Sequence, residues 1–182
     1  ISCARKDTAK GNYHMDYAMV EQHLPSDCLA LWLPDLNHAP EHLAHQAVWL
    51  HRLFSKRLWI GVELLLRGDD LRKLRFLQRL GEQYAIPLCA TGGVYMHVPS
   101  RRIVQDTLTA IRLRCAINEL GLEGECNAQR HLRGREQLAK LYPPTLLAAT
   151  AEIADRCKFS LDELRDEYPE EFIFQLLWDQ LR

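Results

Sequence analysis

Three short stretches carry nearly continuous apolar residues: Cys28 to Leu33, Leu58 to Leu66, and Pro87 to Ala90 with its continuation. A strand covered on both faces needs that pattern, as in a parallel sheet. Between them the apolar period changes. From Glu41 to Phe54, the residues Leu43, Ala47, Leu50 and Phe54 share one helix face. From Asp69 to Tyr84, the residues Leu71, Leu74, Leu77, Leu80 and Tyr84 do the same. Pro40 suits the first turn of the earlier helix, and Asp69 or Asp70, after Gly68, suits the N-cap of the later one. The order strand, helix, strand, helix, strand predicts parallel strands joined by right-handed crossovers.

After Ser100 the pattern is helical only. Val104, Leu108, Ile111 and Cys115 make a further apolar helix face. A non-periodic link with Gly121 and Gly124 follows, then a short helix around Glu136 to Tyr142 and a longer one from Pro144 to Cys157. Pro143-Pro144 separates those two. The expected fold is α/β over residues 1–117, followed by an all-helical extension over residues 118–182.

Composition narrows the class. The 182 residues are 47% hydrophobic and 26% charged, which is ordinary for a soluble globular chain. Such a chain buries about 70% of its unfolded surface and needs no disulfide or metal staple. Disordered, collagen-like and coiled-coil classes are excluded. With 23 basic and 24 acidic residues the formal charge is −1, so the chain is not a uniformly basic nucleic-acid binder. The charge is uneven, however. Residues 67–135 hold twelve basic and seven acidic side chains, and residues 152–182 hold four and nine. Few phosphate contacts can come from that excess, so DNA binding by this chain alone is expected to be weak or nil, and salt-sensitive.

No apolar stretch reaches the about 18 residues of a membrane span, and the N-terminus lacks a signal-peptide layout. The six cysteines form no C-x-x-C pair, and several sit in apolar runs. Buried, reduced thiols in a cytoplasmic protein are the expectation, with no membrane partner.

Candidate chemistry is sparse. His38, His42, His45 and His51 cluster around one helix start, and His42 and His45 are spaced to share a ligand. His45 points away from the Leu43–Phe54 stripe and nothing completes a tetrahedral set, so surface histidines are expected. The segment Ala90-Thr91-Gly92-Gly93-Val94-Tyr95-Met96-His97 follows the third strand, and ligands bind at the carboxyl ends of strands in α/β folds. Its two glycines allow close backbone approach but do not make a phosphate loop. His97 is the one imidazole near this end. Glu63 is a carboxylate inside an apolar strand and is costly to bury alone. It must lie at the strand's polar end or meet a partner such as Arg67. Neither G-x-S-x-G nor H-E-x-x-H occurs.

Four ordered segments carry a resemblance. They are Trp59-Ile60-Gly61-Val62-Glu63-Leu64-Leu65-Leu66, then Arg101 to Arg112, then Asn127-Ala128-Gln129-Arg130-His131-Leu132-Arg133, then Phe159 to Glu171. Together they resemble the error-prone branch of the bacterial C-family DNA polymerases, relatives of the DNA polymerase III alpha subunit. The resemblance implies the later part of a PHP domain, a (β/α) barrel of the polymerase-and-histidinol-phosphatase class, over residues 1–117. Residues 118–182 would be the helical connector toward the polymerase core. It places most PHP metal ligands ahead of Ile1 and the palm with its catalytic aspartates after Arg182, so a piece of a longer protein is expected: an excised segment, a truncated product or a broken gene. The strands are too few to close a barrel, and their open edges make homodimerisation or a rearranged sheet an expected outcome.

The resemblance also addresses the strand-end site. The family's last metal motif is Asp-x-His, and the matching positions here are Gly93 and Tyr95. Glycine offers no ligand and a tyrosine hydroxyl replaces an imidazole, so a crippled metal site is expected, with Glu63 and His97 as the remaining candidate ligands. The apolar tail from Phe172 to Arg182 departs from the family's polar loop and reads as a packing helix or the scar of an altered reading frame.

Three functions follow as expectations. The first is a non-catalytic portion of an error-prone DNA-directed DNA polymerase, a nucleotidyltransferase of translesion synthesis and repair. The parent would use Mg²⁺ and meet DNA and replication or repair proteins; this chain would hold no cofactor. The second is a free-standing PHP-type metal phosphoesterase. The third is a non-catalytic DNA- or protein-interaction module.

Overall fold

The computed structural model describes residues 2–5, 8–9, 12–25 and 27–163. The expectations for the tail Phe172 to Arg182 lie outside these residues, as does most of the Phe159 to Glu171 segment. Two short helices, α1 (Ser2–Arg5) and α2 (Tyr17–His23), precede the sheet. Then come β1 (Ala30–Trp32), α3 (Pro40–Phe54), β2 (Leu58–Glu63), α4 (Asp70–Tyr84), β3 (Leu88–Thr91), α5 (Arg102–Leu113), α6 (Arg135–Leu141) and α7 (Pro144–Arg156). The three strands form one parallel sheet in the order β1-β2-β3. Ala30 lies opposite Leu58, and Ile60 opposite Leu88. The predicted alternation therefore holds, with β1 shorter than Cys28 to Leu33 and β2 ending at Glu63.

The continuity of apolar residues in β2 has a direct cause. Leu58, Ile60 and Val62 join Leu43, Ala47 and Phe54 of α3 and Leu77 and Leu80 of α4 in one core. Trp59, also buried, lies beneath the Arg156 guanidinium of α7 at 4.9 Å. Tyr142 and Leu146 enter that same core, and Thr150 of α7 donates to the Ala90 carbonyl at 2.8 Å. Residues beyond 118 are thus packed on the strands. Gly81 makes the α4–β3 approach close: a Cβ there would lie 2.7 Å from the Ile86 carbonyl oxygen.

Three details differ from expectation. Leu71 lies off the buried stripe of α4 and is 71% exposed. Its turn is occupied instead by polar ties, in which Asp70 Oδ2 accepts from the Leu66 N–H at 2.7 Å and Lys73 pairs with Asp69 at 3.1 Å. In α5 the apolar face Val104, Leu108 and Ile111 faces outward, with Ile111 68% exposed. The inward residues are Asp106, Thr109 and Ala110. Asp106 turns inward because its carboxylate accepts from the Glu125 N–H at 3.0 Å and from Arg102 Nε at 3.2 Å. A buried carboxylate with two donors outweighs an apolar stripe that meets no core among the described residues. Finally, of the cysteines only Cys89 is buried among those described; Cys126 and Cys157 are exposed and Cys28 and Cys115 half-buried.

Candidate functional site

The carboxyl ends of β1 and β2, the start of α4 and Arg130 border a cleft of about 310 Å³. Its wall on the β1 side is the loop from Leu33 to Asn37, held by Asp35 Oδ1, which accepts from the Asn37 N–H at 3.0 Å and from Asn37 Nδ2 at 2.9 Å. That backbone donor, first among its neighbours, holds the Asp35 carboxyl below the ordinary carboxylate range. Across the cleft, the hydrogen bond from Lys73 lowers Asp69 in the same way. Both aspartates are therefore fixed anions.

Glu63 sits at the end of β2, where the sequence reading placed it, but its partner is not Arg67. Arg130 Nη2 lies 3.4 Å from Glu63 Oε2. The Arg130 Nη1 donates to the Gly93 carbonyl at 2.9 Å. Its Nε lies 3.4 Å from Glu125 Oε1, an ion pair without hydrogen-bond alignment. Its guanidinium plane stands 4.5 Å from the centre of the Tyr95 ring. Arg67 pairs instead with the other oxygen of Glu125, at 2.9 Å. The chain Glu63–Arg130–Glu125–Arg67 thus alternates in sign and sums to zero.

The segment Asn127 to Arg133 delivers this network through a spacing of three. Asn127 Nδ2 donates to the Leu65 carbonyl at 2.8 Å, and Arg133 Nη1 donates to the Leu64 carbonyl at 2.9 Å. The backbone follows: the Tyr95 N–H donates to the Arg130 carbonyl at 2.8 Å, and the Leu132 N–H donates to the Met96 carbonyl at 3.1 Å. Tyr142 completes the clamp, accepting from the Leu64 N–H at 2.9 Å and donating to the Thr91 carbonyl at 2.8 Å. Parallel strands that stop at an open cleft leave backbone groups without partners, and this segment satisfies them.

Gly93 and Tyr95 therefore both face Arg130, one through its carbonyl and the other through its ring. His97 lies exposed, one residue beyond the buried Met96 and outside the cleft lining. His45 makes an edge-type contact with Tyr17 at 5.7 Å, whereas His42 lies tilted against His38 at 4.7 Å and pairs with Gln46. These histidines do not converge on one ligand. Among the described residues no three His, Cys, Asp or Glu side chains are grouped to hold a metal ion.

The donor set does not fit a divalent metal. A guanidinium has no lone pair to give, and its positive charge, paired with one oxygen of Glu63 and one of Glu125, repels a metal cation from both carboxylates. What the arrangement can do is neutralise two carboxylates and tie the connector to the strand ends. Arg130, Glu125 and Tyr142 were missed in the sequence reading. Glycine at position 93 was a sign that another side chain needs the space, since a Cβ there would meet Arg130 and Glu63.

No protein-family model matches the chain. Among curated proteins, the Error-prone DNA polymerase of Methylococcus capsulatus is 47% identical over 173 residues, covering 95% of this chain and 16% of that protein. The protein of that name from Dechloromonas aromatica is 47% identical over 177 residues, or 17% of its length. That from Pseudomonas aeruginosa is 40% identical over 173 residues, or 16% of its length. Over 95% of its residues, then, the chain matches a segment of the error-prone DNA polymerase family.

Proposed function

We propose that this chain serves as a non-catalytic structural portion of an error-prone DNA polymerase, formed by the later part of a PHP-type barrel and the connector that follows it. Identity of 47% along nearly the whole chain carries this reading. The parallel strand–helix order and the clamp from Asn127 to Tyr142 support it. In the parent protein, nucleotide transfer to a primer would use Mg²⁺ held elsewhere in the polymerase, in the bacterial cytoplasm, with DNA and repair proteins as partners. The contribution of these residues is to fix the strand ends against the connector.

Two assays test the proposal. Primer extension with Mg²⁺ and phosphomonoester hydrolysis with Mn²⁺ are both expected to be null for the purified chain. Chelator-sensitive hydrolysis would revive the free-standing phosphoesterase, and template-directed synthesis would overturn the non-catalytic role.

One observation favours the interaction-module reading: the outward apolar face of α5. A second copy of the chain covering that face would make it self-associate. Sedimentation across a range of concentrations is expected to show association that Leu108→Glu with Ile111→Glu removes. A monomer at every concentration rules the homodimer out.

A further inference from the structure

We infer that the Arg130 guanidinium is a built-in cation standing where a divalent metal would otherwise bind at these strand ends, and that Gly93 is the residue that admits it. The inference rests on the PHP-type reading only for what has been replaced; the arrangement itself is independent of it.

Three observations converge. The first is space. A Cβ at position 93 would fall inside contact distance of both Arg130 Nη1 and Glu63 Oε1, and 2.8 Å from Glu63 Cδ. Backbone φ there is +52°, which disfavours any L side chain as well. An aspartate at 93 and the Arg130–Glu63 pair therefore cannot coexist in this geometry.

The second is chemistry. Tyr95 turns a ring face toward Arg130 at 4.5 Å. A π face attracts a guanidinium and is a poor ligand for a hard divalent cation. The residues at 93 and 95 thus agree: one yields volume and a carbonyl, the other a cation-binding surface.

The third is charge. Arg130 is only 14% exposed and bridges Glu63 to Glu125. Without it, Glu63 has no ion-pair partner among the described residues and Glu125 keeps Arg67 alone. The uncompensated charge would draw in a cation from solution.

The test is a thermodynamic cycle in the full chain, read by thermal melting with and without Mn²⁺. Wild type is expected to show no Mn²⁺-dependent shift and no saturable Mn²⁺ binding by electron paramagnetic resonance. Arg130→Ala is expected to melt several degrees lower and to regain part of that loss on adding Mn²⁺. Gly93→Asp should lower the melting temperature more in wild type than in the Arg130→Ala background, where the collision with Arg130 Nη1 is gone. The combined variant Gly93→Asp, Tyr95→His, Arg130→Ala should show saturable Mn²⁺ binding where wild type shows none. Arg130→Gln, which removes the charge and the guanidinium beside Gly93 but keeps most of the side-chain stem, serves if Arg130→Ala does not fold. Equal costs of Gly93→Asp in both backgrounds overturn the shared-space argument. Coupling between 93 and 130 with no Mn²⁺ binding by the combined variant overturns the metal replacement, and counts against the PHP-type reading of these strand ends. Saturable Mn²⁺ binding by wild type overturns the inference outright.

Discussion

Arg130 and Gly93 share one volume: the arginine donates to the glycine's carbonyl at 2.9 Å, and the guanidinium fills the space that a side chain at 93 would take. Thirty-seven residues separate them. The pairing ties the loop after β3 to the connector and, through Glu63, to the end of β2.

That position makes Arg130 a stability residue. Removing it leaves Glu63 and the Gly93 carbonyl without their donor and Glu125 short of one partner. For a mostly buried guanidinium this costs about 1.5–3 kcal/mol, discounted from the full penalty of a broken buried pair because Glu63 keeps some solvent. Urea unfolding of Arg130→Ala measures it, and a loss below about 0.5 kcal/mol would contradict the account.

Tyr142 is 3% exposed and its hydroxyl joins two strands by bonding the Leu64 N–H and the Thr91 carbonyl. Tyr142→Phe keeps the ring and orphans both backbone groups. A loss of about 1–3 kcal/mol is expected in chemical denaturation. Faster amide exchange at Leu64 should accompany it.

Position along a helix period is a weaker guide than the structure. Leu77→Ala removes a side chain from the main core and should cost about 2–4 kcal/mol. Ile111→Ala, on the outward face of α5, should stay within about 0.5 kcal/mol. Equal losses from the two would restore the apolar face of α5 to the core.

Burial pushes the Cys89 thiol up from 9.0 to about 11. At pH 8 its thiolate fraction is roughly one in a thousand, and the reactive species is the thiolate. A disulfide reagent should modify the exposed Cys126 and Cys157 and spare Cys89 until the chain unfolds. The sign of the linked stability follows. A raised folded pKa means the native state keeps its proton longer than the unfolded chain, so this contribution is complete below pH 9 and is lost as pH rises toward 11. Cys89→Ala should flatten stability in that window.

Much of the scaffold was readable from residues alone. The continuous apolar run of Leu58 to Val62 announces a strand buried on both faces, and the spacing of Leu43, Ala47 and Phe54 announces the helix that covers it. Local period and burial determine such elements, so one sequence suffices. Glu63 was also recognisable as a carboxylate that needed a partner. The partner itself was not, because Arg130 is 67 residues away and Arg67, four away, was equally charged. The same limit applied to α5: an apolar stripe predicts a buried face only if something packs there, and Asp106 turned the helix by finding donors at Glu125 and Arg102. Sequence by itself thus determined the parallel strand–helix order, the family likeness and the presence of Gly93 and Tyr95 just after the third strand. Only tertiary structure decided that an arginine takes that place, because ion pairing depends on distance in space and the chain records only distance along itself.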